Sequence, residues 1–227
     1  HNIRGLNHKG HITIGVTSQF GLRMLTEIIP AYKKVFPQVT IEITESNVPT
    51  LTRMILEEGI DCAVMALNCA DAFAEEQVSL LRKEEVLFAV PAAHGYCLRN
   101  RTGIMTREEL IHEFKDENFM LSKKGSTLRE LADRIFASAG FQPSTMCETN
   151  SIIATRAMVA KGIGVTFIAR SCVSDRENVA YYSLNPRMYR YNALVRRKNL
   201  IQNEPERALF QHIRGYFERQ DEDGPAD

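Results

Sequence analysis

Polar and apolar residues alternate along His11-Ile12-Thr13-Ile14-Gly15-Val16, and the apolar side chains there are β-branched, which is the two-residue period of a strand. After three small polar residues, Thr17-Ser18-Gln19, the period lengthens. Leu22, Leu25, Ile28, Ile29, Tyr32 and Phe36 share one face of a helix that ends at Pro37. Val39 to Glu45 alternates again as a second strand. Ser46-Asn47-Val48-Pro49 then leads into a helix from Thr50 to Glu58 that stops at Gly59, and Ile60 to Met65 predicts a third strand. Strands alternating with helices in this rhythm predict right-handed crossovers and a parallel sheet covered by helices, an α/β fold. Ligands of such sheets bind beyond the strand carboxyl ends. Here those ends are Thr17-Ser18-Gln19, Glu45-Ser46-Asn47 and Ala66-Leu67-Asn68, three polar turns expected to converge on one edge.

The second half repeats the theme. Val86 to Val90 predicts a strand, and Pro91 with His94-Gly95 marks a crossing into a second lobe. A short helix over Arg107 to His112, a strand over Asn118 to Leu121 and a polar loop over Ser122 to Thr127 lead to a helix from Leu128 to Ala139, capped by Gly140. Thr145 to Thr149 predicts a strand, and Asn150-Ser151 heads a helix to about Lys161. Gly162-Ile163-Gly164 then precedes a strand to Ile168. Strands over Val179 to Leu184 and Tyr191 to Arg196, a helix from Pro205 to Phe217 and an acidic, disordered tail from Gln220 complete the prediction.

Composition narrows the function. With 227 residues, 44% of them hydrophobic, the chain is long enough for two small lobes. Its 28 basic residues balance 28 acidic ones, so no long-range field collects a polyanion, and the chain alone is expected to bind DNA poorly. No apolar stretch is long enough to span a membrane and no leader pattern opens the chain, so a soluble protein without membrane contact is expected. Five cysteines, Cys62, Cys69, Cys97, Cys147 and Cys172, form no CxxC pair, which fits buried thiols in a reducing, cytoplasmic setting. The six histidines form no HxxxH or HExxH set, and no nucleophile or acid–base pair stands out, so neither a metal site nor catalysis is expected. No cofactor is implied.

Three passages together resemble the effector-binding domain of LysR-type transcription regulators. They are the strand and helix of His11 to Pro37, the leucine-rich helix and strand Leu51 to Val64, and Glu148 to Ile168 with its glycine pair. The resemblance covers about His11 to Phe217 and implies the type 2 periplasmic-binding-protein fold, two Rossmann-like lobes joined by two crossover segments. It places lobe one at residues 8–90 and 192–220 and lobe two at 91–191. His94-Gly95-Tyr96 stands where the family commonly has His-Pro-Leu, and Ile168-Ala169 where Leu-Pro or Ile-Pro is usual. The family's N-terminal winged helix-turn-helix is absent from this chain, so DNA contact is expected only through that part of a longer protein. The resemblance further implies a homodimer through the helices Leu22 to Phe36 and Arg129 to Ala139, and a tetramer for the full-length protein.

It also implies a small-molecule effector between the lobes, against Thr17, Ser18 and Gln19 on one side and Ser126, Thr127, Asn150 and Ser151 on the other. Helix N-termini carry unpaired N–H groups and partial positive charge, which favours a carboxylate or other small anion. Asn47 joins this set, with Glu45, Asn68, Arg129 and Phe167 as secondary candidates. Each Ser, Thr or Asn is equally explained as a helix N-cap, and an exposed Arg129 as a solvated one. Some family members sense oxidants through second-lobe cysteines, but Cys147 and Cys172 give that role no support by spacing. The alternative function is a solute receptor of a transport system with the same fold.

Overall fold

The structure is a computed structural model that describes residues 9–68 and 72–222. Two compact units emerge. The first takes the chain up to Lys83 and again from Tyr191, and the second is Glu84–Arg190. Residues 84–90, expected in lobe one, thus belong to the second unit, and Tyr191 belongs to the first. The reason lies in their partners: Val86 to Ala89 pair antiparallel with residues 166–169, and Glu84 binds Arg190 and the backbone of Ser171.

In the first unit β1 (Lys9–Val16) pairs in parallel with β2 (Gln38–Glu45) and β3 (Cys62–Leu67), as the alternation predicted. The end of β9 (Val179–Arg196) returns antiparallel to β3, with Cys62 opposite Arg196 and Leu67 opposite Tyr191. The start of β4 (Val78–Pro91) lies beside it. Helix α1 (Gln19–Val35) buries Met24, Leu25, Ile28 and Tyr32 with β1 and with α7 (Glu204–Glu222), which contributes Leu209, Phe210, Ile213 and Phe217 to the same core. The other sheet face is covered by α2 (Val48–Leu56) through Leu51 and Ile55. Helix α7 runs past Phe217, where the apolar spacing ended, to Glu222. The rest of the expected disordered tail, and Cys69, lie outside the described residues.

In the second unit the start of β9 lies beside the end of β4, which pairs with β8 (Thr166–Ala169), and β5 (Ile104–Thr106) joins β9 in parallel. Two short helices, α3 (Gly95–Arg99) and α4 (Arg107–Phe114), flank β5. A separate pair, β6 (Asn118–Leu121) and β7 (Ser144–Glu148), runs parallel, with α5 (Thr127–Ala139) after β6 and α6 (Ile152–Ala160) after β7. Phe88, Phe114, Phe119, Phe136 and Phe167 meet in the core at centroid distances of 5.2 to 6.5 Å. The glycine pair has a steric origin. Gly162, at φ +78°, ends α6 in the left-handed region. A Cβ on Gly164 would sit 2.3 Å from the Asn118 carbonyl oxygen, so only glycine lets this segment exchange backbone hydrogen bonds with β6.

Candidate functional site

In the first unit the three polar turns do share one edge. Val16 ends β1 opposite Glu45, the end of β2, and opposite Val64, with β3 running three residues further to Leu67. The turns are also bonded to one another: Ser46 N–H donates to the Val16 carbonyl at 3.1 Å, and Ala66 N–H to Thr17 Oγ1 at 3.1 Å. Ser18 and Asn47 are the N-caps of α1 and α2. Their grips differ. Asn47 Oδ1 accepts from Thr50 N–H at 2.9 Å, whereas Ser18 Oγ is 3.5 Å from Gly21 N, the limit of a hydrogen bond. Gln19 is the first helical residue and is exposed, as is the Glu45 side chain. Asn68 follows β3. Its Oδ1 and Nδ2 are both buried, and neither has a hydrogen-bond partner among the described residues.

In the second unit Leu121 stands opposite Glu148, so β6 and β7 also finish together. Thr149 N–H donates to the Leu121 carbonyl at 3.0 Å and Lys123 N–H to Asn150 Oδ1 at 2.9 Å, which ties the two turns. Ser126 caps α5 by accepting from Arg129 N–H at 3.1 Å and donates to Ser122 Oγ at 2.7 Å. Ser151 caps α6 by accepting from Ala154 N–H at 3.2 Å. Thr127 is buried. Four candidates, Ser18, Asn47, Ser126 and Ser151, are therefore helix N-caps.

Two secondary candidates are buried in the second unit. Phe167 is 5% exposed and packs against Phe88 at 5.2 Å in the aromatic core. Arg129 is not a solvated helix arginine either: it is buried, with Nε on Asp133 Oδ1 at 3.0 Å and Nη1 on the Ser122 carbonyl and Glu148 Oε1, each at 3.2 Å. Burial opposes its charge, but the hydrogen bonds to Asp133 and Glu148 outweigh this and raise its pKa above the ordinary guanidinium value. Its visible task is to hold β6, β7 and α5 at the turns. Sequence reasoning missed Ser122, Asp133 and Glu148 in this task. Strand register would have found Glu148, because it alone sets residues 121 and 148 side by side.

The thiols follow the burial expectation in part. Cys62 is fully buried, and burial, then the nearby Asp61 carboxylate, push its pKa far up. Cys97, Cys147 and Cys172 are half-buried, the last two against one apolar cluster that includes Met120 and Val159. Among the described residues no group of three His, Cys, Asp or Glu is placed to hold a metal, and no helix is long and apolar enough to cross a membrane.

The family model described as "LysR substrate binding domain" matches residues 7–218. Among curated proteins, a probable RuBisCO transcriptional regulator of Trieres chinensis is 24% identical over 169 residues, 73% of this chain and 53% of that protein. The chain thus spans about half the length of that relative. Among solved structures, the regulatory domain of Synechocystis CcmR in complex with 2-PG superposes with a TM-score of 0.74 at 12% identity, covering 93% of this chain and 99% of that one. The BenM effector-binding domain with its effector benzoate gives 0.66 at 21% identity, covering 96% and 95%. At these identities the two structures speak for the fold, which is α/β of the type 2 periplasmic-binding-protein kind.

Proposed function

The chain belongs to the LysR substrate binding domain family, and from this premise we propose that it is the sensing part of a DNA-binding transcription regulator whose effector is a small carboxylate or other small anion. In the first unit Thr17, Ser18, Gln19, Asn47 and Asn68 are assigned to contact the effector, with Glu45 at the rim. In the second unit Ser126, Thr127, Asn150 and Ser151 are assigned to it.

The observation that carries this reading is Asn68, whose buried amide has no partner among the described residues. Leaving such a group unsatisfied costs about 1–3 kcal/mol, a penalty that a bound polar guest removes. The weakly held Ser18 hydroxyl supports it as a second available donor. The anion preference rests on the N-termini of α1, α2, α5 and α6, which open at these turns, and on benzoate, the effector of the similar BenM domain.

In the whole regulator, a winged helix-turn-helix N-terminal to this domain would bind DNA in the cytoplasm. Effector binding would act by favouring one arrangement of a homodimer joined through α1 and α5, within a tetramer. Light scattering at micromolar concentration tests this; a monomer would count against it. A transport receptor is not favoured, because the matching family and the curated relative are those of transcription regulators.

A thermal-shift screen of small carboxylates, amino acids and inorganic anions tests the effector reading. At least one compound is expected to raise the melting temperature, and Thr17→Ala or Ser126→Ala to abolish the rise. Asn68→Leu is expected to keep or raise the effector-free melting temperature while losing the rise, since an apolar group of similar size has no hydrogen bond to miss. A rise of unchanged size in all three variants would remove these turns from the site.

A further inference from the structure

At the other edge of the first unit's sheet, two arginines reach one hydroxyl. Arg196 stands opposite Cys62, where β3 begins, and Tyr191 opposite Leu67, where it ends, so Arg196 lies about 16 Å along the strand from the polar turns. Arg196 Nη1 and Arg214 Nη2 both donate to Ser79 Oγ, at 3.1 and 3.2 Å, and Arg196 Nη2 donates to the Glu76 carbonyl at 2.6 Å. The two guanidiniums are therefore within about 6 Å of each other.

Like charges so close call for a counter-ion, and among the described residues no carboxylate pairs with either. Arg129, Arg190 and Arg197 each meet one, and the nearby Asp61 is taken by Arg197 at 3.2 Å. Burial and then the charge of Arg214 push the Arg196 pKa below its ordinary value. Ser79 accepts from both arginines, which uses its lone pairs and leaves its own proton to donate.

We propose that Ser79, Arg196 and Arg214 form a second anion site, separate from the effector turns, for a tetrahedral oxyanion of the sulfate or phosphate type. Three donors from three chain segments match the several oxygens of such an ion better than the two of a carboxylate. The ion arrives either free or as the terminal group of a phosphorylated metabolite.

Calorimetric titration of the 227-residue chain with sulfate, phosphate, acetate and a simple phosphomonoester, at fixed ionic strength, tests this. Sulfate and phosphate are expected to bind more tightly than acetate, and the phosphomonoester arm separates a free ion from a terminal group. Arg214 is exposed, so Arg214→Gln leaves the core intact and is expected to weaken sulfate about tenfold, with Ser79→Ala weakening it several-fold. Lys198→Gln, which removes the same charge from an exposed position, is expected to leave sulfate binding unchanged. Equal binding in Arg214→Gln and the parent, or equal losses in Arg214→Gln and Lys198→Gln, would overturn the proposal. Loss of sulfate binding in Asn68→Leu alone would put the ion at the effector turns and overturn this site while leaving the effector reading standing.

Discussion

The first unit ties its polar turns together with neutral groups, whereas the second uses charges. Around Thr17 and Asn47 the links are hydroxyl, amide and backbone hydrogen bonds, and the strands they follow are already paired over their whole length. Around Ser126 and Ser151 the links include the Arg129 guanidinium on Glu148 and Asp133. The β6–β7 pair is short, with its register shifted between Phe119 and Met120. A two-strand ribbon supplies little geometry of its own, so side-chain charges do there what strand pairing does in the first unit. The same contrast recurs at the boundary, where the second unit opens and closes on the buried Glu84–Arg190 pair at 2.9 Å.

The largest test of this contrast is Glu84→Leu, which leaves Arg190 buried beside an apolar side chain. A loss of about 3–5 kcal/mol is expected in chemical denaturation, and a loss under about 1 kcal/mol would mean that charge is not what anchors the second unit. Arg129→Met comes next. Its carboxylate partners are about half exposed and can be rehydrated, so a smaller loss of about 1.5–3 kcal/mol is expected. The caps then sharpen the comparison: Ser126→Ala should cost about 1 kcal/mol and Ser18→Ala only a few tenths, because the Ser18 contact is already at its limit. Equal losses would show that the two caps are equally engaged.

The smallest expected effect is on pH dependence, and it has opposite signs in the two units. In the second unit the Tyr96 hydroxyl bonded to Glu109 holds that carboxyl below the usual range. Its contribution is present above the ordinary glutamate pKa and is lost as pH falls through the lowered value. In the first unit burial raises the Glu206 pKa, so its contribution is present below the ordinary pKa and is lost as pH rises through the raised value. Melting curves against pH should therefore flatten on the acid side for Glu109→Gln and on the higher-pH side for Glu206→Gln. Parallel curves for both variants and the parent would contradict this.

Much of the architecture was legible because its signals are local. β1, α1, β2 and α2 follow directly from the change between two-residue and helical periods, and Ser18, Asn47, Ser126 and Ser151 stand where cap chemistry requires them. The first half of β4 was not legible, since the charged run Arg82-Lys83-Glu84-Glu85 breaks the apolar pattern before Val86. In the fold Arg82 lies over the Phe20 and Phe217 rings at 4.7 and 5.1 Å, and both glutamates are buried against arginines. Asn185-Pro186 likewise hid the continuity of β9, which runs from Val179 to Arg196 as one strand rather than two. Elements as short as α3 and β5 offer too few residues for any period to register. In the candidate site, the burial and pairing of Arg129 were not legible because its partner Glu148 is remote in sequence and comes close only through strand pairing.

Because Glu84–Arg190 is a continuous stretch inserted within the first unit, the order of synthesis differs from the order of completion. The ribosome delivers every residue of the second unit before it makes Leu194, Leu209, Phe210 and Phe217, which the first unit needs for its core. The unit begun first is the last that can be finished. A nascent chain arrested before residue 204 would thus carry a complete second unit beside a first unit with an open apolar face awaiting α7.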